Sequence, residues 1–147
     1  MSKILIAVAD LYPEISSVLR KPVLSLLEEE GIEHSEVCVS GIFELSSAVN
    51  IAMEHVEYSG IIILGCLIKR STMHFNVMAY ESARALQDIS IYYSVPMGYG
   101  IISVDTKKQA IAQASEGGLR AAKACLQLIK IKEFYANYHD RDVSLFN

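Results

Sequence analysis

Cysteine is scarce in this sequence, and its spacing matches neither a metal site nor a disulfide framework. The 147 residues include three Cys, at Cys38, Cys66 and Cys125. An odd number without a CxxC pair argues against structural disulfides and against a zinc site. We therefore expect no metal, and we expect the reducing environment of the cytoplasm.

Long apolar segments are missing as well. No run approaches the ~18 residues that a membrane-spanning helix requires. The first ten residues contain one Lys and a short apolar run that Asp10 ends, without the small-residue cleavage pattern of a signal peptide. These features predict a soluble intracellular protein with no membrane partner.

Charge is also low. Charged residues make up 20% of the chain, hydrophobic residues make up 52%, and the net charge is −4. The lack of a basic cluster argues against nucleic acid as the main partner. The apolar excess predicts elements buried on more than one face, or surface buried between subunits.

The chain alternates between strand-like apolar runs and helical patterns. The predicted strands are Lys3–Ala9, 35–39, 60–66 and 96–104, and the helices between them are 13–30, 43–56 and 73–93. Pro22 should kink or split the first helix. Asp105-Thr106 should cap a helix ending near Ala114, and Gly117-Gly118 should separate it from a last helix.

Strand–helix alternation with short connections predicts parallel pairing through right-handed crossovers. The expected α/β fold is a three-layer α/β/α sandwich with a four-stranded parallel sheet. Residues 1–147 form a single domain on this interpretation, in which 132–147 are the end of the last helix and a tail. Ligands should gather beyond the carboxyl ends of the strands.

The most informative segment is 65–76, which follows the third predicted strand. Two cations and the hydroxyl residues Ser71 and Thr72 precede His74, where a helical pattern begins. The start of a helix attracts anions through unpaired N–H groups and the helix dipole. The same field should favour a neutral imidazole, suited to proton transfer. Simple helix capping and a solvated His are the alternatives.

Other candidate residues carry a weaker signal. Gly41 would allow close backbone approach, and the dipole would favour Glu44 near a helix start, although an ordinary turn gives the same pattern. Tyr99 lies in the fourth strand and fits a core or an interface. Arg120 fits a solvated cation.

Taken together, these residues make the chain similar to the lumazine synthase family, from about Lys3 to about Ile131. The segment 40–44, Ser-Gly-Ile-Phe-Glu, is similar to the family's Pro-Gly-Ala-Phe-Glu. The segment 65–76 is similar to Gly-x-x-Ile-Arg-Gly-x-Thr-x-His-Phe/Tyr-Asp. The second motif is the specific one, because Gly-x-Phe-Glu alone would be weak.

The resemblance implies a flavodoxin-like fold and a homopentamer, or a multiple of it, whose active sites lie between subunits. It implies condensation of 5-amino-6-(D-ribitylamino)uracil with 3,4-dihydroxy-2-butanone 4-phosphate. The products are 6,7-dimethyl-8-ribityllumazine, phosphate and water, in riboflavin biosynthesis. No cofactor is expected for this transferase.

The resemblance also assigns roles to individual residues. His74 corresponds to the proton-transfer residue, and Ser71 and Thr72 correspond to the phosphate-binding segment. The other substrate-binding positions that it implies are Leu11, Ile42, Phe43, Glu44, Leu67, Ile68, Tyr99, Gln113 and Arg120. Among these, Tyr99 corresponds to an aromatic residue from the adjacent subunit.

The chain departs from the family pattern at Ser40, which replaces a Pro, at Lys69-Arg70, which replaces Arg-Gly, and at two positions that bear on substrate binding. Leu11 replaces an aromatic residue that stacks on the heterocycle, and Tyr12 is a possible substitute. Gln113 replaces an Arg that holds the substrate phosphate, so Arg70 or Arg120 would have to supply the charge. These departures leave open a non-catalytic or degenerate relative that binds lumazine or flavin. A receiver-like signalling domain fits less well, because the first strand leads into no acidic pair.

Overall fold

A computed structural model describes residues 3–69 and 72–139. Within these ranges strands and helices alternate strictly along the chain. In order they are β1 (Lys3–Ala9), α1 (Pro13–Glu29), β2 (Glu33–Val39), α2 (Glu44–His55), β3 (Gly60–Ile68), α3 (Thr72–Tyr93), β4 (Met97–Val104) and α4 (Lys107–Ala136). Among the strands, β2 begins two residues earlier than predicted, β3 ends two residues later and β4 begins one residue later.

The four strands form one sheet in the order β2-β1-β3-β4, and every neighbouring pair is parallel. Helices α1 and α4 cover one face of the sheet, and α2 and α3 cover the other. The predicted three-layer α/β/α sandwich is therefore confirmed. None of the helices in the described ranges is both long and apolar enough to cross a membrane.

The central strands are apolar on both faces because helices cover both sides. Along β1, Ile4, Ile6 and Val8 enter the core beneath α1 and α4, whereas Leu5 and Ala7 enter the core beneath α2 and α3. All five side chains are at most 2% exposed. Because successive side chains of a strand point to opposite faces, β1 contributes to two separate cores.

The predicted break at Gly117-Gly118 is wrong, because α4 runs through both glycines without interruption. A Cβ on Gly118 would lie 2.1 Å from the backbone oxygen of Leu19, and one on Gly117 would lie 2.9 Å from Cγ2 of Ile102. Glycine in a helix interior costs about 1 kcal/mol relative to alanine. Here its small size allows α4 to pack directly against α1 and the sheet.

The predicted split at Pro22 is wrong, because α1 runs from Pro13 to Glu29 through this residue. The alternative, a kink at Pro22, stays a prediction. The predicted cap of α4 is confirmed at Thr106. Its side chain accepts from the backbone N–H of Gln109, and the Gln109 side chain accepts from the backbone N–H of Thr106 in return. This capping box satisfies N–H groups that the first turn would otherwise leave unpaired.

Candidate active site

The strand order reverses between β1 and β3, since the chain moves outward to β2 on one side and to β4 on the other. Such a reversal leaves a crevice at the carboxyl ends of the two central strands, because their following loops diverge. The register adds to this crevice. Val8 lies opposite Leu64, so β3 continues three residues beyond the level of Ala9, the last residue of β1.

A pocket of about 200 Å³ lies at this reversal point. The β1–α1 loop, the end of β3 and the first turns of α3 contribute its lining residues, which are Leu11, Tyr12, Leu67, Ile68, His74, Phe75 and Met78. The walls are predominantly apolar, and His74 contributes an imidazole. An apolar cavity with an imidazole in its lining suits a flat heterocycle on which protons are moved.

His74 is the third residue of α3 and its side chain is exposed. The first N–H groups of a helix have no partner within the helix, so anions bind favourably beside its first turn. The imidazole therefore lies between an apolar pocket and a segment suited to a phosphate. Ser71 and the neighbouring Arg70 lie outside the described residues, and Thr72 is the first residue of α3.

The β2–α2 turn reaches the same edge of the sheet. Ile42 is buried, and its Cδ1 atom lies 2.8 Å from the position that a Cβ on Gly65 would occupy. Phe43 is 47% exposed. The Glu44 carboxylate folds back toward the turn, with its Oε1 atom 3.5 Å from Oγ of Ser40. This turn thus presents an exposed aromatic ring and a carboxylate near the end of β3.

Ile42, Phe43 and Glu44 lie at the same edge of the sheet without lining the pocket, and three further candidates do not line it within one chain. Tyr99 lies half-buried in the middle of β4, where burial raises the pKa of its phenol and a hydrogen bond with Ser82 acts in the opposite direction. Gln113 and Arg120 are exposed along α4. They are seven residues apart, so they lie on one side of this helix.

Phe75 and Met78 line the pocket but were not among the predicted substrate-binding residues. Met78 follows His74 by four residues, which places both on the same face of a helix. That spacing was available in the sequence. The residue type gave no hint, because a partly buried Met on a helix usually belongs to the core.

Cys66 precedes the pocket residues of β3 and is buried. Burial raises the pKa of its thiol to about 11, so the nucleophilic thiolate is scarce near neutral pH. The described residues contain no cluster of three His, Cys, Asp or Glu side chains that could hold a metal ion. Within these residues, His74 is the titratable side chain best placed to act on a ligand in the pocket.

A larger groove of about 750 Å³ lies between α1 and α4. It is lined mainly by serine and apolar side chains, and its charged residues Lys21 and Glu29 have opposite signs. The groove is on the other face of the sheet from His74, away from the carboxyl ends of the strands. The smaller pocket is therefore the better candidate for an active site.

A family model described as 6,7-dimethyl-8-ribityllumazine synthase matches residues 1–133. The chain belongs to this family. It therefore belongs to the transferases of riboflavin biosynthesis, and its sandwich is the flavodoxin-like fold expected of them.

Individual relatives agree with the family assignment. The 6,7-dimethyl-8-ribityllumazine synthase of Nitrobacter winogradskyi is 36% identical over 140 residues, covering 89% of this chain and 86% of that protein. The 6,7-dimethyl-8-ribityllumazine synthase 1 of Rhodopseudomonas palustris is 37% identical with the same coverage. The synthase of Bartonella bacilliformis is 35% identical, covering 91% of this chain and 92% of that protein.

Proposed function

We propose that the chain forms 6,7-dimethyl-8-ribityllumazine from 5-amino-6-(D-ribitylamino)uracil and 3,4-dihydroxy-2-butanone 4-phosphate, with release of phosphate and water. The observation that carries this proposal is the apolar pocket at the reversal point of the sheet, with His74 at the start of α3. The pocket suits the pyrimidine, and the helix start suits the phosphate. Family membership supplies the reaction.

The pyrimidine ring lies against Leu67 and Ile68, whose side chains line the pocket and whose backbone ends β3. Phe43 covers the ring from the β2–α2 turn, and Ile42 holds that turn against the sheet. The Glu44 carboxylate is exposed close by and accepts hydrogen bonds from the ribityl hydroxyls.

The butanone phosphate lies at the first turn of α3, where Ser71, Thr72 and free backbone N–H groups bind its phosphate. His74 accepts and returns protons while the amine and the ketone form an imine, while phosphate leaves, and while the second nitrogen closes the ring. General acid–base catalysis of this kind contributes roughly 10²–10⁴-fold in rate. Holding two substrates in contact contributes a further large share, so few other polar groups are needed.

We also propose a homopentamer, or a multiple of it, in which a neighbouring subunit completes each site. Met73, Val77 and Tyr80 form a stripe on α3 and are 80%, 44% and 71% exposed. Covering this apolar stripe would favour association. Assembly would also give Tyr99, Gln113 and Arg120 a role that they lack within one chain. In that role Gln113 forms an uncharged contact with the phosphate, and Arg120 supplies the positive charge.

A cytoplasmic location is part of the same proposal. The three cysteines are unpaired, which suits a reducing compartment. Fractionation of cells with an antibody against the chain would test this, and recovery in a secreted fraction would contradict it.

The activity is tested by incubating the purified chain with both substrates and following the absorbance of the lumazine product. We expect product well above the uncatalysed rate, and a rate equal to the uncatalysed one would contradict the proposal. Native mass measurement on the same sample tests the assembly. A pentamer or a multiple of it is expected, and a monomer would contradict the shared site.

A further inference from the structure

Met78 is the lining residue farthest along α3 from the helix start, about 6 Å from His74 along the helix axis. Its side chain is half-buried and packs against the core beneath α2 and α3. It therefore has one side fixed by the protein and one side open to the pocket. A residue in this position limits how far a flat ring can enter.

The composition of the β1–α1 side of the lining makes Met78 more important. Leu11, from the β1–α1 loop, is 48% exposed and offers no aromatic stack. The rest of the lining comes from Tyr12 on the same loop, from the end of β3, and from His74, Phe75 and Met78 on α3. A thioether is polarisable and makes favourable contacts with aromatic rings, and its three rotatable bonds let it follow the shape of a ligand.

We infer that Met78 is a specificity-determining residue, which sets the depth of the ring pocket and selects the two-ring lumazine system over larger fused rings. This inference rests on the proposed function, because it takes the pocket as the site of the heterocycle. His74 transfers protons at the helix start, and Met78 contacts the ring farther along the same helix face.

The test compares Met78→Ala with Met53→Ala in the full-length protein. Met53 lies on α2, is half-buried and packs against the same core, but it does not line the pocket. Both variants lose the same atoms, so their thermal unfolding should change by similar amounts. Fluorescence titration with 6,7-dimethyl-8-ribityllumazine then reports ring binding, without any dependence on turnover.

We expect Met78→Ala to weaken lumazine binding about tenfold, whereas Met53→Ala changes it less than about twofold. Met78→Leu keeps the side-chain volume and should stay within about threefold of the native chain. The affinity for riboflavin, whose ring system has one more fused ring, should rise relative to that for lumazine in Met78→Ala. Equal effects of the two alanine variants, or an unchanged ratio of riboflavin to lumazine affinity, would overturn the inference.

The enzymatic proposal fails separately from this inference. If the native chain binds lumazine through Met78 but forms no product, the specificity role stands and the proposed activity does not. If the native chain forms product and Met78→Ala behaves like Met53→Ala, the activity stands and the specificity role is wrong. KM measured for each substrate adds a further check, since only that of the pyrimidine should rise in Met78→Ala.

Discussion

The two faces of the sheet differ in how closely helices approach it. On the face covered by α1 and α4, here called the closed face, a Cβ on Gly98 would lie 1.8 Å from the backbone oxygen of Ala121. On the face covered by α2 and α3, here called the site face, a pocket of about 200 Å³ remains open beside His74. On the first face α4 packs directly against the sheet, and the larger groove lies between α1 and α4; on the second face the open pocket lies beside His74.

Exposed apolar side chains occur on both faces, on α4 at Ile111 and Tyr135, and on α3 within its first turns. Met73 and Tyr80 on this helix are 80% and 71% exposed. On α4, the residues that face the sheet include Ala114, Ala121 and Cys125, all at most 1% exposed. We therefore expect the closed face to contribute mainly to stability and the site face mainly to function. The following variants test that separation.

The largest effect is expected on the closed face. In Gly118→Ala the new methyl group would collide with the backbone of Leu19, which cannot move aside without shifting α1. We expect the free energy of unfolding to fall by about 3 kcal/mol, at the upper end of overpacking effects. Chemical denaturation at one fixed protein concentration measures this change.

Gly117→Ala is the matched control. Its methyl group would meet side-chain atoms and no backbone, Cγ2 of Ile102 at 2.9 Å and Cδ2 of Leu19 at 3.8 Å. The helix gains about 1 kcal/mol of propensity. We expect a net change within about 1 kcal/mol. If both variants lost the same free energy of unfolding, the close contact between α1 and α4 at Gly118 would have no special effect on stability.

The second effect belongs to the site face. His74→Ala should lower kcat about 100-fold, because general acid–base catalysis is lost while the apolar pocket remains. The KM of each substrate should change less than about threefold, since the ring is held by other residues. Steady-state kinetics following lumazine formation measure both constants.

His55→Ala is the control for this prediction. His55 is exposed near the end of α2, where its Nδ1 atom lies 2.9 Å from the backbone oxygen of Ile51. It should retain native kcat. A His74→Ala variant with native kcat would remove the imidazole from the proposed mechanism and leave positioning as the source of the rate.

The order of the strands and helices could be predicted from the sequence, but the packing on the closed face could not. Four apolar runs were sufficient for a parallel sheet, and parallel strands bring their carboxyl ends to one edge. The segment 65–76 could therefore be placed at that edge, and its role as a ligand site stays a prediction. Gly117-Gly118 was misinterpreted because the reason for these glycines is Leu19, about 100 residues away along the chain. Packing between distant segments leaves no local pattern.

Contacts that depend on a second chain could not be derived from the residues either. Only the family resemblance identified three candidates as substrate-binding residues, namely Tyr99, Gln113 and Arg120. Their sequence patterns also fit a core or a solvated surface. In one chain Arg120 is exposed on α4 and does not line the pocket. Its role depends on the neighbouring subunit that the proposal supplies.

Arg120 therefore tests whether a helix of the closed face also contributes to substrate binding. If a neighbour's Arg120 binds the phosphate, Arg120→Gln should raise the KM of the butanone phosphate about tenfold, because a charge-assisted hydrogen bond is lost. The KM of the pyrimidine should stay within about twofold. Lys123→Gln, an exposed cation one turn farther along α4, is the control. Identical kinetics of both variants would confine α4 to folding.

The smallest effect is a gain at the edge of the pocket. Leu11 is half-exposed and lines the pocket. Leu11→Phe would add a ring face to the lumazine, and an aromatic contact contributes about 0.5–1.5 kcal/mol. We expect lumazine to bind about fivefold more tightly, measured by fluorescence titration. Leu128→Phe on α4 is the control, since Leu128 is 39% exposed and lies outside the pocket. If Leu11→Phe binds no more tightly than the control, the ring does not reach the β1–α1 loop, and the α3 side must hold it instead.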